Sequence, residues 1–116
     1  MEGTPSRPPR RYDSRPGRTT VVTATLDELR GPVGGTVELP NSLLWLPDRA
    51  VDLDDTWTRG WVYALVLREA RRRDDLRKWI NGEVLAELWP ALNLPRGVRT
   101  AWEDRHPVLR RHPAPA

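Results

Sequence analysis

Four pairs of adjacent carboxylates, Asp27/Glu28, Asp54/Asp55, Asp74/Asp75 and Glu103/Asp104, are the side chains in this sequence best equipped for acid–base chemistry. That chemistry needs one carboxyl protonated and its neighbour ionised, which a cleft achieves by separating their pKa values. Three of the pairs fall instead at expected helix starts. A carboxylate there accepts hydrogen bonds from free amides and meets the positive end of the helix dipole. Capping accounts for them without catalysis. The only histidines, His106 and His112, lie among prolines and arginines, which is no preorganised metal site. There is no cysteine to act as nucleophile, thiolate ligand or disulfide partner. Gly31, Gly34 and Gly35 fall in an expected turn between strands, and no Walker loop, dinucleotide fingerprint or nucleophile elbow occurs. The expectation is a protein with no catalytic residue, no cofactor and no metal.

Binding is the chemistry left, and two groups of residues are candidates for partner contact. Arg68, Arg71, Arg72, Arg73, Arg77 and Lys78 gather positive charge across one expected helix end and the next helix start. Cations at a helix C-terminus also complement the dipole, and Glu69, Asp74 and Asp75 are close enough in sequence to pair with them. The six tryptophans (Trp45, Trp57, Trp61, Trp79, Trp89 and Trp102) must supply bulky core volume in a chain with no phenylalanine. Trp45 and Trp57 are the candidates for exposure, one on an expected edge strand and one in a first helical turn. Tryptophan is favoured at interface hot spots.

The elements that position these residues must be few. A chain of 116 residues has room for one domain. With 38% hydrophobic and 30% charged residues it is too apolar to be wholly disordered. Eighteen arginines against the single Lys78 suggest a GC-rich genome, which weakens any step from arginine to nucleic acid. The net charge of +3 is uneven. Residues 1–18 and 105–116 are basic, while residues 19–104 carry more acids than bases, so the body lacks the footprint of a nucleic-acid-binding domain. The expected organisation is a disordered Arg/Pro-rich arm over 1–18, one domain over 19–104, and a basic Pro-containing tail over 105–116. The arm has no apolar run to make a secretory signal, and no stretch approaches the roughly 20 apolar residues of a membrane helix. A cytoplasmic location is expected.

Within the domain, residues 19–24 are β-branched and read as a strand. Thr25-Leu26-Asp27-Glu28 has capping-box spacing and predicts one helical turn, stopped at Gly31-Pro32. Residues 36–39 read as a second strand, and residues 43–46, between Pro40 and Pro47, as a third on the edge. From Thr56 to about Arg72, Trp57, Trp61, Val62, Leu65, Val66 and Ala70 predict one apolar stripe on a helix. A second helix runs from Asp74 through Ile80, with Asn81-Gly82 as a left-handed C-cap. A third covers 83–89 and stops at Pro90, and a fourth starts at Pro95 and ends near Asp104, with Val98, Ala101 and Trp102 inward. Pro107, Pro113 and Pro115 should keep the end open. The fold class is α+β: a short N-terminal β-hairpin or three-strand edge followed by about four helices.

Several stretches together resemble a family of small actinobacterial proteins. They are Asp27-Glu28-Leu29-Arg30-Gly31-Pro32, Val37-Glu38-Leu39-Pro40, Val66-Leu67-Arg68-Glu69-Ala70, Leu88-Trp89-Pro90, Leu94-Pro95, Val98-Arg99 and Ala101-Trp102-Glu103. Members are encoded beside nucleotidyltransferases of the AbiE toxin type, and the resemblance spans about residues 20–110. It implies an antitoxin-like protein partner and carries over no functional residue. A full AbiE-type antitoxin also has a winged-helix DNA-binding domain, and this chain is too short for that plus a second domain.

The expected function is a non-enzymatic protein-interaction module whose partner is another protein, a nucleotidyltransferase-type toxin by the resemblance. The alternative is a small nucleic-acid-binding transcriptional regulator, with the second and third helices as a helix-turn-helix-like pair. Glu83 and Glu87 on the would-be recognition helix oppose that alternative.

Overall fold

The computed structural model describes residues 13–15 and 18–111. Most of the expected 1–18 arm, and the tail from His112 onward, lie outside the described residues. The fold is α+β, with two short antiparallel strand pairs followed by five helices among the described residues. Strands β1 (Asp13–Arg15) and β2 (Arg18–Thr19) pair with each other, as do β3 (Thr36–Glu38) and β4 (Ala50–Asp52). Helices α1 (Thr56–Glu69), α2 (Arg73–Trp79) and α3 (Gly82–Leu88) lead through a 3-10 turn, Trp89–Ala91, to α4 (Arg96–Arg105) and α5 (Pro107–Arg111).

In the second pair Val37 opposes Val51, both turned inward, while Thr36, Glu38, Ala50 and Asp52 point to solvent. Gly35, at φ +81°, makes the bend into β3 and accepts the Leu53 amide. The third strand expected over 43–46 does not form. The Leu43 and Leu44 amides both donate to the Pro40 carbonyl at 3.0 Å, winding this segment into a turn, and Ala50–Asp52 supplies the second strand. Leu43 and Leu44 are neighbours that are both buried, which strand alternation forbids. The strand expected over 19–24 ends at Thr19, and residues 20–24 continue without a ladder partner.

Asp55 caps α1, accepting from the Thr58 amide at 2.9 Å and its hydroxyl at 2.7 Å. The helix stops at Glu69, short of the expected Arg72. Asp75 reaches back to accept from the Arg71 and Arg72 amides, which turns the backbone out of α1 and starts α2. Asn81-Gly82 is not the expected C-cap. Asn81 is the N-cap of α3, its Oδ1 taking the Glu83 and Val84 amides, and Gly82 is the first helical residue. Glycine is required there because a Cβ would collide with the Leu26 carbonyl, where residues 26–31 cross the α2–α3 junction. Gly31 faces the same crossing, bonded to the Ile80 carbonyl at 2.8 Å.

The core gathers Tyr63, Trp89 and Trp102 with Leu39, Leu53, Leu67, Leu76, Ile80, Leu85 and Leu109. Trp89 is held from α4. Its Nε1 donates to Glu103 at 2.9 Å, and the Arg99 guanidinium stacks over its ring at 4.9 Å while donating to its carbonyl. Packing runs past residue 104, where an open tail was expected. Pro107 takes the first position of α5, where its missing amide hydrogen costs nothing, and His106 and Leu109 are buried. No helix among the described residues is long and apolar enough to cross a membrane.

Candidate interaction surface

Helix α1 is apolar on more than one side. At about 100° per residue, Tyr63, Val66 and Ala70 point to the core, while Trp57, Trp61, Ala64 and Arg68 point away from it. Six consecutive residues, 62–67, are buried, so the helix lacks the single apolar stripe expected of it. Trp57 and Trp61 are exposed at 73% and 37% and stack on each other, ring centres 6.4 Å apart and planes 11° from parallel. They form one wall of an open groove of about 490 Å³, whose other wall is Leu88, Ala91, Leu92 and Asn93. Gly60 lies between them, and a Cβ on it would meet no atom within 4 Å.

Trp45, at 84% exposed, protrudes from the turn after β3 rather than from an edge strand. It borders a second groove of about 520 Å³, with Leu43, Leu44, Leu65, Glu69 and Arg71. The expected exposure of Trp45 and Trp57 is therefore present. Trp61, assigned to the core stripe by spacing, is on the surface. A signal for it was available: apolar residues in α1 fill more of the helix circumference than one buried stripe can accommodate.

The basic candidates separate into used and unused charges. Arg77 is held at 2.7 Å by both Glu28 and Asp74, which raises its pKa further. The Thr25 amide and Arg77 together hold the Glu28 carboxyl down at about 2. Arg68 pairs with its neighbour Glu69 at 3.4 Å, Arg72 faces Asp75 at 3.7 Å, and Lys78 sits over the Trp79 ring. Arg71 and Arg73 have no carboxylate partner among the described residues, although the Arg73 Nε donates to the Val22 carbonyl at 3.4 Å. Arg71, Arg72, Arg73 and Arg77 line an open groove of about 610 Å³ with Thr20, Val21, Val22 and Asp74. Arg68 lines the tryptophan groove instead.

The carboxylate pairs are engaged in structure. Glu28 binds the Thr25 amide, Asp54 binds the Gly35 amide, Asp55 caps α1, Asp75 starts α2, and Glu103 holds Trp89. The Thr58 hydroxyl and amide lower the Asp55 pKa. His106 is buried against Trp102, its Nε2 2.9 Å from the Thr23 carbonyl. Burial pushes its pKa down. No group of three or more metal-ligating side chains occurs among the described residues. No family model, curated protein or solved structure matches this chain.

Proposed function

We propose that this chain is a non-enzymatic, cytoplasmic protein-interaction module that docks its partner on the tryptophan groove of α1. The stacked, exposed Trp57–Trp61 pair is the observation that carries this reading. Large aromatic side chains left in water cost free energy that burial in a complex recovers, at about 25 cal/mol per Å² of apolar surface. A helix that already fills the core with its inner face has no internal reason to place two tryptophans on the outer one. The resemblance adds a partner class, a nucleotidyltransferase-type toxin, which would make the chain antitoxin-like. A nucleic-acid reading has one feature in its favour, the guanidinium groups of Arg71 and Arg73, which have no carboxylate partner among the described residues. The exposed Glu83 and Glu87 of α3 oppose it.

Recovery of the tagged protein from an actinobacterial lysate, with and without nuclease, tests the function. The expected result is one stoichiometric protein that survives nuclease and is lost when Trp57→Ala and Trp61→Ala are combined. Retention by that double variant would put the contact on another face. Loss of everything on nuclease treatment would move the function to nucleic acid, with affinity falling steeply as salt rises.

A further inference from the structure

We infer that the arginine groove beside α2 takes an extended segment of a partner protein. Its backbone pairs with Thr20–Val22, and one or two of its carboxylates reach Arg71 and Arg73. The groove shares no residue with the tryptophan groove, so the inference is independent of the docking proposed there. The backbone is the first reason. Strand β2 ends at Thr19, and residues 20–22 run on along one wall of the groove with no backbone partner among the described residues. Val22 turns its carbonyl to Arg73 at the groove, while Thr23 turns its own into the core, to His106. That alternation belongs to an extended strand, in which every second residue bonds to the same side. Thr20 therefore addresses the groove together with Val22. The Arg73 bond to the Val22 carbonyl, at 3.4 Å, is longer than the usual range of about 2.7–3.2 Å and yields to a better-placed amide. A strand whose backbone groups pair with nothing is a template for another chain.

Charge selects the segment. Four guanidinium groups line the groove with one carboxylate, Asp74. Arg77 holds both Asp74 and Glu28 at 2.7 Å, and Asp75 lies 3.7 Å from Arg72. Arg71 also borders the Trp45 groove with Glu69, but Glu69 pairs with Arg68 at 3.4 Å. That leaves Arg71 and Arg73, neither with a carboxylate in ion-pair range among the described residues. Four arginines against Asp74, Asp75 and Glu28 leave an excess of one positive charge, which suits one or two carboxylates and not a polyanion. A nucleic-acid strand would bring a phosphate at every step past those three acids. Its sugar–phosphate backbone also has no N–H to offer the Thr20 and Val22 carbonyls. The chain's own first twelve residues carry Arg7, Arg10 and Arg11 against Glu2, so they do not complement the groove either.

The test uses the full chain and labelled short peptides of valine, threonine and serine, read by fluorescence anisotropy at low salt. One carries two glutamates, a second has glutamine in their place, and a third keeps the glutamates but is N-methylated at its backbone amides. The first is expected to bind at least about fivefold more tightly than either of the others. Combining Arg71→Gln with Arg73→Gln should abolish the preference for glutamate over glutamine. Arg71→Gln alone should reduce it, should the double variant fail to fold. Combining Trp57→Ala with Trp61→Ala should leave it unchanged. Equal binding of the glutamate and glutamine peptides, no saturable binding, or a glutamate preference that survives in the arginine variants overturns the inference. Indifference to N-methylation, or tighter binding of a thymidine oligonucleotide of matching length, does so too. Loss of peptide binding in the tryptophan variant would place the peptide on the other groove and also overturn it.

Discussion

Alanine in place of Gly60 adds one methyl group to the outside of α1, where no atom beyond its two neighbours and the helix's own backbone lies within 4 Å to resist it. The helix gains the propensity difference between the two residues, so stability should rise by about 0.5–1 kcal/mol. In a domain of this size each kcal/mol moves the thermal midpoint by about 4–8 °C, so the expected rise is roughly 2–8 °C. The same change at Gly31 places a Cβ 2.5 Å from the Trp79 carbonyl carbon and 2.6 Å from the Ile80 nitrogen. Both are backbone atoms and cannot swing aside. Gly31→Ala should therefore destabilise by about 1–3 kcal/mol or more, and Gly82→Ala likewise through the Leu26 carbonyl. Thermal and urea unfolding of the three variants, followed by circular dichroism, gives the comparison. A midpoint lowered by Gly60→Ala, or raised by Gly82→Ala, would refute the account of why each glycine is where it is.

Other expectations follow from single contacts. Asp55→Ala removes the cap of α1 and should cost about 1 kcal/mol in urea unfolding. His106 has its pKa lowered by burial, so the unfolded chain takes up the proton first, near the ordinary value of 6.5. Stability should then fall as pH drops below about 6.5, by at most about 1.4 kcal/mol per unit, until the folded-state pKa is also passed. His106→Asn should remove that part of the pH slope, whatever its cost at neutral pH. Leu85→Ala empties a fully buried position and should cost about 2–5 kcal/mol. Trp57→Ala, largely in water, should move the unfolding midpoint little, and a loss comparable to that of Leu85→Ala would mean that its ring is part of the core.

The helices were legible because their signals are local. Asp55 before a long apolar run, Pro90 after a short one and Pro95 at a start all act within a turn of chain. The misreadings came from contacts between distant segments. Leu43 and Leu44 look like half a strand until the Pro40 carbonyl captures both amides. Asn81-Gly82 reads as a helix end, and only the Leu26 crossing shows why glycine begins the next helix instead. His106 looked like part of a solvated tail because its partner, the Thr23 carbonyl, is 83 residues away in sequence. For the candidate site, the exposure of Trp45 and Trp57 was legible. The groove was not, since its second wall comes from residues 88–93, which α1 reveals nothing about. Which arginines stay unpaired was also beyond the sequence, because Glu28 reaches Arg77 across 49 positions.

The bond between His106 and Thr23 also has a schedule. Ribosomes add roughly 5–20 residues each second, so about 4–17 s separate the synthesis of these two residues. Throughout that interval Thr23, which ends with no exposed surface, lacks the ring nitrogen that will bond its carbonyl. Until His106 is made, the Thr23 carbonyl must find water or another part of the chain as its partner.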